Sequence, residues 1–377
     1  MKVLLTSPDA VCSNGSPDSS ICDALRAIPS DDVGVALVSN HEKPHWFDEE
    51  FGDTDNLAFF PRRRRQTGDI VADLADHLDI ETHDILVLAT KLADMQMAKN
   101  GNGALIAAGW SDSNKVKGLG IQAETPQELE EIVALSEGWE GGWYYQAQGK
   151  NYALRALADF STYGKSFDQQ RFRKCLTSTV KSGGPELVAL LVVTARSLLE
   201  AGFGSVDDLA WGVYPSSDSN NDDEDVLSDF AHRLRTTVSK VHFAKRGEPL
   251  FIRHSTAPKR SKGQGGCRID PSKQMQTIHI NPEYKGRLNG RNVVVVDDCT
   301  TYGVSMGVAA AFLKEAGAKS MTGVALGRFG NTGNYFDIDL SSDPFKPVKS
   351  GDFSYEIGCF DSEDKSVVHQ QLKDLIS

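Results

Sequence analysis

The stretch RNVVVVDDCTTYGVS, residues 291–305, decides the fold of this 377-residue chain. Val293, Val294, Val295 and Val296 form an unbroken β-branched run. Such a run belongs at the centre of a parallel sheet covered on both faces. Asp297 and Asp298 follow at the carboxyl end of that strand, where open α/β sheets bind their ligands. The turn TTYGVS then leads into SMGVAAAFLKEAGA, which has helical spacing, so backbone N–H groups gather beside the acids. A helix start of this kind attracts phosphate. Carboxylates meet a different need, accepting hydrogen bonds from sugar hydroxyls or holding a hydrated metal. A plain turn with two solvated aspartates is the alternative reading.

Working outward, residues 1–135 alternate strand-like and helix-like segments. KVLL, VGVALVSN, DILVLA and ALIAAGW read as strands, and GDIVADLADHL, KLADMQMAKNG and TPQELEEIVAL as helices. Ile70, Val71, Leu74 and Leu78 share one helical face, and Thr125 with Glu128 forms a capping pattern. Residues 136–152 are rich in glycine and aromatics and read as a junction. There Trp139, Trp143, Tyr144 and Tyr145 suit either an interdomain contact or the stacking of a base. Beyond it come the helices FDQQRFRKCLTSTV and PELVALLVVTARSLLEAG, the second closed by Gly202. A short strand is expected at PLFIR and another at MTGVALGRF, while residues 331–358 read as turn-rich. The predicted architecture is therefore α/β, with two domains that are each a mostly parallel sheet with flanking helices: 1–135, then 153–345, followed by a C-terminal extension at 346–377.

Net charge is −12. That balance argues against general binding of nucleic acid or membrane surfaces, which reward basic faces. No run reaches transmembrane length, and the start carries no signal-peptide pattern. The six cysteines are scattered without a C-x-x-C pair. Zinc and disulfide frameworks are thus disfavoured, and a reducing cytoplasm is expected. His41 and His45 have i, i+4 spacing, but Pro44 between them disfavours a helix, so HEKPH reads as a polar loop.

The 291–305 stretch resembles the phosphoribosyl-pyrophosphate (PRPP) signature of type I phosphoribosyltransferases, and residues 150–330 resemble the competence-protein (ComF) branch of that family. The resemblance implies a PRPP-dependent transferase that uses Mg2+ and releases pyrophosphate. It assigns the ribose hydroxyls to Asp297 and Asp298, which also reach metal through water. It assigns the 5′-phosphate to Thr300, Thr301, Tyr302, Gly303, Val304 and Ser305, and pyrophosphate to the loop Tyr214, Pro215, Ser216, Ser217 and Asp218. Thr300 stands where an aliphatic residue is usual and Tyr302 where a small one is usual. The acids that follow (Asp222, Asp223, Glu224, Asp225) are expected mostly in solvent. RHSTAPKRSKGQGG matches the family's flexible loop in position, with Arg253, Lys259, Arg260 and Lys262 as its cations. Thr301 stands where purine-salvage members carry an acid, which leaves the small-molecule acceptor open.

Residues 1–135 resemble the haloacid dehalogenase (HAD) hydrolases in the order of their landmarks. Ser39 and Asn40 end the second strand, Arg62–Arg65 lie before a helix, and Asp94 follows the strand DILVLA. The family's aspartate nucleophile and its second acid fall on Thr6 and Pro8, with Asp9 one position further. Ala89 and Thr90 replace the Gly-Asp of the fourth motif. A phosphoaspartate needs an aspartate, so the resemblance implies a remnant without phosphatase activity. HAD and phosphoribosyltransferase domains occur together in biosynthetic modules near tellurium-resistance stress genes, which implies a nucleoside-like product. A non-catalytic PRPP or nucleotide sensor and an active HAD phosphatase are the alternatives, and a homo-oligomer is left open.

Overall fold

The computed structural model describes residues 1–13, 15–240, 246–256 and 268–376. The chain divides into two compact units. One comprises Met1–Gly141, Val188–Val206 and His232–Ala244; the other comprises Gly142–Leu187, Asp207–Ala231 and Lys245–Ser377.

The first unit is built on six strands: β1 (Lys2–Thr6), β2 (Val33–Ser39), β3 (Leu57–Pro61), β4 (Ile85–Ala89), β5 (Ala104–Ala108) and β6 (Ile121–Ala123). Their order is β3-β2-β1-β4-β5-β6 and every neighbouring pair is parallel. Strands β2, β4 and β5 are buried at every position, as continuous apolar runs require in a sheet covered on both faces. Strand β3 escapes the sequence reading because it lies at the sheet edge, only partly buried and ending at Pro61. The strand order reverses between β1 and β4, which opens a crevice at their carboxyl ends. Helix Pro126–Gly138 begins as its capping pattern predicts, with Thr125 Oγ1 accepting from the Glu128 N–H at 3.2 Å. HEKPH is irregular and leads into a short helix, Trp46–Phe51.

The second unit carries β7 (Tyr145–Gln148), β8 (Tyr152–Asp159), β9 (Ala210–Val213), β10 (Asn292–Thr300), β11 (Ser320–Arg328) and β12 (Asp361–Asp364). The sheet order is β9-β10-β11-β8-β7-β12. The first four strands are parallel and the last two add antiparallel edges. Thus each unit is an α/β layer structure with a mostly parallel sheet. The valine strand is an interior strand, one removed from the edge strand β9, and Val293–Val296 are at most 1% exposed. Several features depart from the expected pattern, strands β8 and β12 among them. Residues 145–148 form a strand, and the stretch expected to be turn-rich contains a hairpin of Asn334–Leu340 with Phe353–Cys359. Trp139, Trp143, Tyr144 and Tyr145 are all buried, so none of these rings is free to stack a base. Tyr145 instead carries the Arg328 guanidinium 3.7 Å from its ring centre. No single helix among the described residues is long and apolar enough to cross a membrane.

Candidate functional site

Strand β10 outruns its neighbour. Pairing with β9 stops at Val213 opposite Val296, and the Tyr214 N–H closes the register on the Val296 carbonyl at 2.9 Å. On its other side β10 stays paired with β11 as far as Thr300 opposite Arg328. The acids therefore lie within the strand rather than past its end. Their edge on the β9 side is open, and the chain leaving β9 turns away there. A cavity of about 570 Å³ occupies this opening. It is lined by the whole loop Tyr214–Asp218, by Asp297 and Asp298, and by Ser305.

The remaining residues assigned to the phosphate loop lie elsewhere. Thr300 and Val304 are buried, Thr301 is exposed, and Tyr302 is partly buried against the apolar core. Gly303 caps helix Val304–Glu315 with φ +82°, and a Cβ there would lie 2.8 Å from the Asn334 carbonyl. Only glycine fits this turn without strain, so the sequence reading of its glycine has a steric basis. Tyr302 turns inward, where its bulk does not narrow the cavity lining.

Arg253 is not part of a loose loop. It ends strand Phe251–Arg253, paired antiparallel with Ile278–Ile280, and is only 5% exposed. Its guanidinium donates to Thr277 Oγ1 at 2.8 Å and to the Pro215 carbonyl at 2.9 Å. Its backbone N–H donates to Asn221 Oδ1 at 2.7 Å. Pairing with Ile278 fixes the backbone, and the side chain, which also lines the cavity, then buttresses the 214–218 loop. Lys259, Arg260 and Lys262 lie outside the described residues.

The electrostatics of the cavity are dominated by carboxylates. Burial, and then the charge of Asp298, push the Asp297 carboxyl well above the usual carboxylate range. The Asp298 N–H donates to Asp297 Oδ1 at 2.9 Å. Two adjacent carboxyl groups at the open edge of β10 suit a pair of neighbouring hydroxyls. Asp223 also lines the cavity and is raised, first by burial and then by Asp225 and Asp222. Asp218, Asp222, Glu224 and Asp225 are exposed, as the sequence reading expected for most of this run. Lys181, Gln274 and Cys299 join the lining without a signal in the sequence. Burial and the two acids hold the Cys299 thiol far above its ordinary value.

No group of three or more His, Cys, Asp or Glu among the described residues is arranged to hold a metal ion. Asp297 and Asp298 supply only two carboxylates, whereas Mg2+ requires six oxygens. They fit an ion that keeps its waters and takes further oxygens from a bound phosphate.

In the first unit, the residues of the hydrolase-like reading meet at the crevice between β1 and β4. Arg65, 6% exposed, donates from Nε to Asp94 Oδ1 and from Nη2 to Asp9 Oδ2, both at 3.0 Å. Asn40 Oδ1 accepts the Arg65 backbone N–H at 2.9 Å. Ser39 Oγ accepts from the His41 N–H at 3.0 Å. Thr6 Oγ1 donates to the Leu88 carbonyl at 3.1 Å and is fully buried.

No family model matches the chain, and no curated protein matches it. Two solved structures are similar to part of it. One, described as a phosphoglycolate phosphatase of Lactobacillus delbrueckii subsp. bulgaricus, is 23% identical over 31% of this chain and 54% of its own, with a TM-score of 0.27. The chain thus spans about half the length of that protein. The other, the cobalt-bound deoxy-D-mannose-octulosonate 8-phosphate phosphatase of Haemophilus influenzae, is 14% identical over 37% of this chain and 90% of its own, with a TM-score of 0.31. At such values neither likeness carries the fold, which rests on the strand order itself.

Proposed function

We propose that the second unit is a PRPP-dependent phosphoribosyltransferase acting on a small nucleobase-like acceptor. What supports this reading is one juxtaposition: the open edge of β10 brings Asp297, Asp298 and Ser305 into the same cavity as the loop Tyr214–Asp218. In this reading Asp297 and Asp298 hold the ribose hydroxyls. Backbone N–H groups at the start of helix Val304–Glu315, with Ser305, hold the 5′-phosphate. The 214–218 loop, buttressed by Arg253, faces pyrophosphate. The C1–O bond breaks through an oxocarbenium-like state, pyrophosphate leaves with the electron pair, and an acceptor nitrogen attacks C1. The residues contribute position and electrostatics. Magnesium, when bound with the substrate, neutralises charge on the departing pyrophosphate. A phosphatase in the first unit finds no such support, because Thr6 stands at the end of β1 and Asp9 is already engaged by Arg65.

The test is a screen of nucleobases and related heterocycles for pyrophosphate release from PRPP with Mg2+. Turnover that Asp297→Asn/Asp298→Asn abolishes is the expected result. Turnover that survives in this double variant would displace the assigned site. Wild-type PRPP binding without turnover across the screen would replace the enzyme reading with that of a sensor.

A further inference from the structure

The crevice of the first unit gathers carboxylate oxygens around a single centre. Asp9 lies just beyond β1 and Asp94 in the first turn of helix Leu92–Gly101, which follows β4. One oxygen from each is 3.0 Å from the same guanidinium. Converging carboxylates are what a hard divalent cation takes. The residues do not fit that ion, because the chain has already filled the place. Asp94 is fully buried, and its second oxygen accepts the Lys91 N–H at 3.0 Å and the Thr90 N–H at 3.3 Å. Asp9 is 45% exposed and turns one oxygen inward to Arg65.

The position of Arg65 is built into the backbone. Arg64 is left-handed at φ +61°, Asn40 holds the Arg65 N–H, and the turn Arg65–Thr67 ends at Gly68. A Cβ on Gly68 would lie 2.2 Å from the Gly101 nitrogen, so the turn packs directly on the end of helix Leu92–Gly101. These contacts fix the backbone from which the Arg65 side chain reaches the two carboxylates.

We propose that Arg65 is the resident cation of the first unit: its guanidinium takes the place of a divalent ion between Asp9 and Asp94, and the crevice is complete without metal. A guanidinium held on both sides bonds one oxygen of each carboxylate and offsets one of their two charges, but offers no open coordination position to a phosphate or a water. Removing it leaves two facing carboxylates around a space that a hydrated ion fills. An ordinary buried ion pair, with no metal-shaped space beneath it, behaves differently once the arginine is gone.

The experiment counts bound Mn2+ and follows the unfolding midpoint across a Mn2+ titration of the full chain. Wild type is compared with Arg65→Ala, Arg65→Ala/Asp9→Asn and Asp9→Asn. Arg65→Ala is expected to bind an extra Mn2+ per chain and to gain a Mn2+-dependent rise in its midpoint. The double variant should lose both, and Asp9→Asn alone should bind as many ions as wild type. Ions taken up by the second unit are common to all four proteins and cancel. An Arg65→Ala protein that binds no more Mn2+ than wild type overturns the proposal. If Arg65→Ala does not fold, Asp9→Asn decides: unchanged Mn2+ uptake supports a site closed to metal, and reduced uptake overturns it.

Discussion

Both units place acids at the carboxyl end of a parallel strand, and they do opposite things with them. In the first, the carboxylates of Asp9 and Asp94 are turned onto Arg65. In the second, Asp297 and Asp298 face a cavity, and the nearby Arg253 donates to Thr277 and Pro215 rather than to either acid. There Asp297 is pushed well up by burial and by its neighbour's charge. A closed network stabilises a fold. An acid raised in a cavity is a cost that a ligand can relieve. The same sheet position thus yields a structural clasp in one unit and an open site in the other.

That comparison can be broken in several ways. The largest effect is expected at the clasp. Arg65→Ala, without added metal, leaves Asp94 buried and unpaired and should cost roughly 3–5 kcal/mol of stability, read from urea unfolding. A loss within about 0.5 kcal/mol would mean that the first crevice is not closed by Arg65. Next comes the buttress. Arg253→Met removes the donor to the Pro215 carbonyl, while the Thr277 hydroxyl keeps its bond to the Lys273 carbonyl, and should cost about 1–3 kcal/mol, with weaker PRPP binding because the 214–218 loop loses its support. Stability lost with affinity unchanged would separate Arg253 from the site. Asp297→Asn removes a carboxyl whose raised value makes its ionised form unfavourable in the fold. The folded state then holds the proton that the unfolded state gives up, so wild-type stability falls as pH rises above about 3.9. The variant should flatten that slope, measured by denaturation at several pH values.

The smallest effect concerns His369, on helix Ser366–Ile376 of the second unit. Its Nδ1 lies 3.2 Å from the Asp159 nitrogen and so accepts that N–H, while Nε2, 2.8 Å from Gln169 Oε1, donates. This arrangement requires the neutral ring, and burial holds its value below the ordinary one. The unfolded state then binds more protons at mildly acid pH, so stability is full above about 6.5 and falls as pH drops through it. His369→Gln should lower stability at neutral pH by about 1 kcal/mol and remove part of the acid dependence. An unchanged acid limb would assign that dependence to other groups.

Much of this was legible in the sequence, because continuous apolar runs such as Val293–Val296 admit few environments other than a doubly covered sheet. The grouping of Asp297, Asp298, Ser305 and the 214–218 loop was legible too, since all fall at or beyond the carboxyl ends of parallel neighbours. What could not be read had long-range causes. Arg253 sits beside a basic, glycine-rich run, and only its pairing with Ile278 shows that it is buried. Arg65 reaches partners 29 and 56 positions away, which no local pattern encodes. The strand Phe353–Cys359 is exposed along most of its length, so it lacks the alternation that announces a strand. Strand β10 runs on to Thr300 because β11 accompanies it that far, a fact of register rather than of residue type.

The most direct measurement is calorimetric titration of the full chain with PRPP and Mg2+, comparing wild type, Asp297→Asn/Asp298→Asn and Asp9→Asn. Loss of two hydrogen bonds, about 0.5–3 kcal/mol each, should weaken binding roughly 10- to 10⁴-fold in the double variant. Asp9→Asn should bind as wild type does. PRPP binding that survives in the double variant, or that fails in Asp9→Asn, would contradict the assignment of the open site to the second unit.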